Sequence, residues 1–352
     1  MRIVKVAAHS CVRVHKMALA LMQSPYRHHV SLLSQRTTNF EDSYDIFAIT
    51  HSIHQLRELI KVLAPVTDVF HAHNEPSYFV TAIKELCDKP VILDVHDSWL
   101  ARITPEKWGE KKEKGEKCIR ITAEERNNFQ LADGLVFPSQ PFADIVLDEF
   151  KLTQPHIILP PYVPHNLFNY QSFDYYGGLV YEGRVDLKAS LSDKYKTGFE
   201  YTDYEDLAKS CNDLGIEFHI YASGKEDFKK LYEPIAIVHP PVIYGKLINT
   251  LAMHDWGLVG NLNPTEEWKV AMPNKLFEYI AAGVPIVSIN AKACSELIEE
   301  YGIGITVNSM EELRDRWREH RECRIRLLKC RGEFAMEKHI HKLDDLYKKV
   351  TS

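Results

Sequence analysis

The 352-residue chain contains no run approaching the ~18 consecutive apolar residues that a membrane-spanning helix needs. It also has no excess of basic charge. Its 43 lysines and arginines face 49 aspartates and glutamates, a formal charge of −6, which argues against a general nucleic-acid binder held by phosphate neutralisation. Cysteine is scarce and unpatterned. The seven lie at positions 11, 87, 118, 211, 294, 323 and 330 with no C-x-x-C pair, so neither a disulfide framework nor a sulfur zinc site is indicated, and the thiols are expected to be reduced and mostly buried. No D-x-D carboxylate pair and no internal repeat are visible, and Gly302-Ile303-Gly304 lacks the third glycine of a dinucleotide fingerprint. What is plentiful is apolar surface. At 45% hydrophobic residues the chain can fill about two domain cores, given ~150 residues per domain. Met1 to Ala8 reads as a first strand rather than a signal peptide, and a cytoplasmic location is expected.

Short Val/Ile/Leu-rich runs alternate with helical spacing from the start. Arg2 to Ala8 is a strand, Arg13 to Met22 carries apolar residues at helical spacing, and His29 to Leu33 begins the next strand. The rhythm continues through Tyr44 to Ile49, Ser52 to Leu63, Val69 to His71, Ser77 to Cys87, Val91 to Val95, Ala123 to Leu131 and Gly134 to Phe137. Such alternation implies a parallel sheet with helices on both faces. Residues 155 to 178, with four prolines in their first ten positions, break the pattern and mark a domain boundary. Beyond them the alternation restarts and runs to Val307. The expected organisation is an α/β chain with a first Rossmann-like domain over 1–168, a second over 169–330 and a closing helix over 331–352. Two doubly wound parallel sheets of this kind are expected to face each other across a ligand cleft.

The most informative segment runs from Ala271 to Ser288. Pro273 and Asn274 open a helix, Leu276, Phe277 and Ile280 bury one side, and Gly283 ends it before a buried strand. The helix start offers unpaired amides and positive dipole to a diphosphate, with Lys275 adding a point charge. Glu278, one turn on, could accept two hydrogen bonds from vicinal ribose hydroxyls. The plain alternative is an exposed i,i+3 Lys/Glu pair.

The string P-N-K-L-F-E-Y-I-A-A-G-V-P-I-V over 273–287 resembles the nucleotide-sugar signature of glycosyltransferases of the GT-B architecture, especially family 4. The resemblance extends to Arg13-Val14-His15-Lys16 in the first helix, to His71–Asn74 and Val95-His96-Asp97 at strand ends, and to Ala132–Ser139. In the second half it includes Tyr181-Glu182-Gly183-Arg184-Val185 and His254–Val259, and it ends with Phe334–Tyr347 as a helix crossing back onto the first domain. The resemblance implies a glycosyltransferase taking a UDP- or GDP-sugar to a glycan, lipid-linked or other acceptor, retaining and metal-independent, with no cofactor beyond that substrate. It gives Glu278 to the ribose and Arg184 and Lys275 to the diphosphate, with Pro273, Asn274, Leu276, Gly183 and Val242 as further donor contacts. His96 falls to the transferred sugar, Asp97 to loop or acceptor orientation, and Ser10, Arg13 and His9 to acceptor or sugar contacts. If the reaction inverts, Asp97, His96, His15 and His9 are the candidate bases.

The sequence departs from the family pattern in places. The second glutamate, eight residues before Glu278, is replaced by Val270, with Glu266 and Glu267 upstream as substitutes. The first loop, Ala8-His9-Ser10-Cys11-Val12, has no glycine, and Lys188 is off its usual spacing. An epimerase of the same architecture and a binding protein without turnover are the alternative functions. His71 and His73, with Glu75, could by spacing hold a metal, although hydrogen-bond anchoring is the commoner use of such a pair. The lysine-rich stretch Lys107 to Arg120 reads first as a solvated loop and second as a peripheral contact with the inner face of a membrane. Trp99 to Cys118 is expected to contribute to acceptor choice. Leu313 to Arg331 reads as a basic helix with Leu313, Trp317, Ile325 and Leu328 on its apolar side.

Overall fold

The computed structural model describes residues 1–73, 78–98, 116–169, 175–185, 203–223, 227–264 and 266–352. Residues 99–115, holding most of the lysine-rich stretch and of the expected acceptor loop, lie outside them, as do Glu75 and Lys188. The chain divides into two compact units, Met1–Pro164 with Met336–Ser352, and His165–Ala335.

Among the described residues the first unit forms a seven-stranded parallel sheet. Its strands are β1 (Arg2–Ala7), β2 (His29–Ser34), β3 (Ile46–Ile49), β4 (Val69–His73), β5 (Val91–Asp94), β6 (Gly134–Phe137) and β7 (His156–Ile158), in the spatial order β3-β2-β1-β4-β5-β6-β7. β4, β5 and β6 are buried at every residue, as expected of strands covered on both faces. The helices Ile53–Leu63 and Gln140–Phe150 begin where Ser52 and Ser139 cap them, accepting from the Gln55 and Phe142 amides. The last helix, Ile340–Thr351, packs on this unit. Ile340, Leu343, Leu346 and Tyr347 join Val14, Leu21, Ile92 and Val136 in one core, and the Tyr347 hydroxyl bonds His71 at 2.7 Å.

Among the described residues the second unit has six parallel strands, β8 (Leu179–Arg184), β9 (Phe218–Ser223), β10 (Ile237–His239), β11 (Trp256–Gly260), β12 (Ile286–Ile289) and β13 (Gly304–Thr306), in the order β10-β9-β8-β11-β12-β13. Each sheet therefore reverses its winding once, between β1 and β4 and between β8 and β11. In open α/β sheets the crevice beyond the carboxyl ends at such a reversal is where ligands bind. The β8–β11 pairing covers only Leu179 with Trp256 and Val180 with Gly257, so the carboxyl ends of the two strands lie beyond their paired residues.

Two expected elements differ. Tyr44 belongs to no strand, because a short turn at Glu41–Ser43 precedes it and its hydroxyl is held by Ser10 at 2.5 Å, leaving β3 to start at Ile46. Leu313 to Arg331 is not one helix but three pieces, Met310–Asp315, a single 3-10 turn at Trp317–Glu319 and His320–Cys330. The break rotates the last piece so that His320, Cys323 and Leu327 are buried, whereas Ile325 and Leu328 are exposed. Residues 331–335 also stay with the second unit, where Arg331 bonds the Ala281 carbonyl, and the return to the first begins at Met336, whose amide bonds the Val163 carbonyl. Among the described residues no helix is long and apolar enough to cross a membrane.

Candidate functional site

In the second unit the site is built by β8, the Asn274–Ala282 helix and the Tyr244–Leu251 helix. Pro273, extended at φ −74° and ψ 158°, leads into the Asn274–Ala282 helix and, standing at its N-cap, makes no side-chain cap bond itself. Tyr279 anchors that helix at the sheet's reversal point. Its hydroxyl donates to the Val180 carbonyl at 3.1 Å and accepts from the Glu182 amide at 3.3 Å, and its ring lies against Gly257 so closely that a Cβ there would stand 2.4 Å from it. The anchored helix brings Lys275 to the end of β8. Its Nζ reaches the Tyr181 hydroxyl at 3.4 Å, stands 4.6 Å over the Tyr181 ring and lies 5.4 Å from that of Trp268. Gly183, at φ +128°, is in a region that side chains avoid, and a Cβ on it would meet Lys275 Nζ at 3.3 Å. Tyr181 in turn donates to the Arg184 carbonyl at 2.9 Å, and the Arg184 side chain is exposed.

Glu278 is 1% exposed, so the plain alternative of an exposed i,i+3 pair does not hold. The Tyr244 phenol lies close enough to feel its charge: burial first, then Glu278 and Glu182, push that phenol well above its ordinary value. Val242 precedes Tyr244 and is half-buried. Gly183, Arg184, Lys275 and Glu278 are thus held in one neighbourhood by Tyr181, Tyr244 and Tyr279, three residues that the sequence pattern did not single out for this purpose. Val270 is half-buried and Glu267 is buried beside Trp268 in the short Glu266–Val270 helix that precedes the motif.

The first unit holds a second cluster, at the carboxyl ends of β1, β4 and β5. Its centre is Asp94, fully buried, which receives Arg13 through Nη2 at 2.7 Å and Nε at 3.0 Å, His73 at 3.0 Å and His96 at 3.0 Å. Lys5, equally buried, donates to His73 Nε2 at 3.1 Å. Burial works against the Asp94 carboxylate, but Arg13 and then His96 outweigh it and hold the group well below the usual range. Burial also works against charge on His96, yet Asp94 and Cys11 raise it to about 10. Burial lowers Lys5 to about 7 and His73 to about 3.

This arrangement revises several expectations. His96 takes Asp94 as its carboxylate partner, two residues back on the same strand end, while Asp97 is exposed. Arg13 is 3% exposed and braces Asp94 and the Leu159 carbonyl, a supporting position rather than an open contact surface. His15 is buried, stacked on Phe40 and bonded to Ser43 at 2.8 Å, and burial lowers it to about 4. Ser10 is buried against Tyr44, and His9 is exposed. His71, His73 and Asp94 bring one ligand atom each within 4.8 Å, the one such group among the described residues. Their chemistry does not suit a metal, since Lys5 and Arg13 bring two cationic side chains against the same atoms and Tyr347 takes His71 Nδ1.

Residues 202–330 match the family model described as glucosyltransferase 3-like, C-terminal domain. No curated protein sequence matches the chain. Among solved structures it is similar to Anabaena HepE in complex with UDP and glucose, at TM-score 0.72 and 12% identity over 99% of this chain and 100% of that one. It is also similar to sucrose-phosphate synthase from Thermosynechococcus elongatus, at TM-score 0.69 and 10% identity over 99% of both chains. WaaG, a glycosyltransferase of lipopolysaccharide biosynthesis, aligns at TM-score 0.66 and 11% identity, again over 99% of both. The chain therefore has the two-sheet GT-B fold, and its 202–330 segment is similar to the C-terminal domain of glucosyltransferase 3-like proteins.

Proposed function

We propose that the protein is a glycosyltransferase that moves a sugar from a nucleoside diphosphate sugar to a glycan or lipid-linked acceptor. The observation that carries this reading is the second-unit site, where Lys275 is fixed against Gly183 at the end of β8 and Glu278 is buried one turn further along the same helix. A diphosphate leaving the sugar gains charge as the glycosidic bond breaks. Cations already aimed at it favour the transition state over the ground state, and the Lys275 and Arg184 side chains with the helix amides are assigned to that task. Transfer by these groups, with retention and without a metal ion, is the reading adopted here. Glu278, buried near Tyr244, is assigned to the ribose hydroxyls. His96, which Asp94 and Cys11 raise to about 10, is assigned to the transferred sugar through its positive charge, since its two ring nitrogens already face Cys11 and Asp94. UDP is the first nucleotide to try, because HepE, similar in fold, binds UDP and glucose.

Thermal unfolding against UDP, GDP, ADP, CMP and dTDP without added metal tests the site. A ligand at ~100 times its Kd adds about 2.7 kcal/mol to the folded state, a shift of several degrees. A shift with UDP or GDP that Glu278→Ala diminishes is expected. No shift with any nucleotide overturns the assignment. Consumption of the nucleotide sugar with no acceptor present would replace transfer by epimerisation, and binding without any turnover would leave a sugar- or nucleotide-binding protein.

A further inference from the structure

The reaction above leaves one nucleophile of the first-unit cluster without a task. Cys11 sits immediately before the Val12–Gln23 helix, in the loop after β1, and is partly exposed. Its Sγ lies 3.8 Å from His96 Nδ1, and the other ring nitrogen of His96 is 3.0 Å from the buried Asp94. Sulfur, imidazole and carboxylate therefore stand in line, with the carboxylate itself pinned by Arg13. Arg13, in the helix's first turn, also keeps one buried donor, Nη1, without an acceptor among the described residues. An imidazolium beside a sulfur at a helix start is the environment that turns a thiol into a thiolate.

We propose that Cys11 is a covalent-modification site, a thiolate paired with protonated His96 that reacts with hydrogen peroxide and small soft electrophiles in preference to the chain's other described thiols. Those other thiols are differently placed. Burial pushes Cys211 and Cys294 up to about 12 and also raises Cys323 and Cys330, whereas for Cys11 burial is outweighed by His96 and by the Val14 and Arg13 amides, and the group is lowered. In the peroxide reaction the sulfur attacks one oxygen, the O–O bond breaks, an S–O bond forms and hydroxide leaves. The sulfur is oxidised to a sulfenic acid and the peroxide is reduced to water once the hydroxide takes a proton. Neither the identity of the donor nor that of the acceptor enters this reading.

The test is limiting iodoacetamide on the intact protein across about pH 5.5 to 9.5, with adducts mapped by peptide mass. At pH ~6.5 Cys11 is expected to react roughly tenfold or more faster than Cys87 and Cys330, the other partly exposed thiols among the described residues, with a midpoint below the ordinary ~8.5. His96→Gln should remove that advantage at pH ~6.5 while leaving the Cys87 rate, a gauge of intact folding, unchanged. Peroxide followed by a cyclic diketone trap should then label Cys11 in the unmutated protein. Equal rates for Cys11, Cys87 and Cys330, or a Cys11 midpoint at or above ~8.5, overturns the proposal, and this pH profile decides even if the His96 variant fails to fold.

Discussion

Glu278 and Lys275 share a helix face at one turn's separation, but Glu278 is almost wholly removed from water whereas Lys275 lies half-buried among rings. A buried carboxylate tolerates loss of its partner poorly, and this sets the residue-scale predictions. Glu278→Ala should weaken nucleotide binding by about 1–3 kcal/mol, read as a smaller ligand-induced rise in Tm. Arg184→Ala should lower kcat more than affinity, since its charge is assigned to the departing diphosphate. The shared face of Lys275 and Glu278 was legible because helix spacing fixes which residues stand together, whereas their ligand roles came only from the resemblance. The first-unit cluster was not, because the partners of Lys5 are contributed by distant strands and a lysine in a Val/Ile run looks like an ordinary interruption. His96 was paired in sequence with its neighbour Asp97, whereas alternation along a strand sends adjacent side chains to opposite sides and favours Asp94.

At the scale of elements, the Asn274–Ala282 helix depends on a contact that its own sequence does not reveal. Tyr279 reads as one more apolar residue of the motif, yet its ring needs the bare backbone of Gly257, and its hydroxyl fixes β8 at Val180 and Glu182. Gly257→Ala should therefore displace the ring and destabilise the protein by about 1–3 kcal/mol in urea unfolding, with weakened nucleotide binding as a second effect. The segment before β11 carries a different sensitivity. His254, fully buried, bonds the Gly177 carbonyl at 2.7 Å and the Tyr221 hydroxyl at 3.3 Å, and burial lowers it to about 4. The unfolded chain takes up that proton near pH 6.5 and the folded chain only near 4, so stability is lost as pH falls through that window. About 2 kcal/mol should disappear between pH 7 and 5 from this group alone, with His219 and His239, also lowered by burial, acting in the same direction. A urea midpoint that is flat over this range would contradict the assignment. His96 has the opposite sign, since its raised value contributes stability that fades only as pH climbs toward about 10.

For the molecule as a whole, the alternation of strands and helices made both parallel sheets legible, since continuous apolar runs between helices admit few other arrangements. The points of division were harder to read, because prolines mark a break in regular structure without saying which core the flanking residues join. The first unit is assembled from both ends of the chain, with Met336–Ser352 supplying part of its core. Leu343→Ala, at a fully buried position of that returning helix, should cost about 2–5 kcal/mol and appear in the unfolding of the first unit. The same discontinuity sets an order on biosynthesis. At ~5–20 residues per second, the first unit would wait roughly ten to forty seconds on the ribosome for its last helix, with the Val14, Leu21 and Ile92 surface incompletely covered, while the uninterrupted second unit could already fold. A newborn chain is thus most exposed to chaperones through the half that is made first.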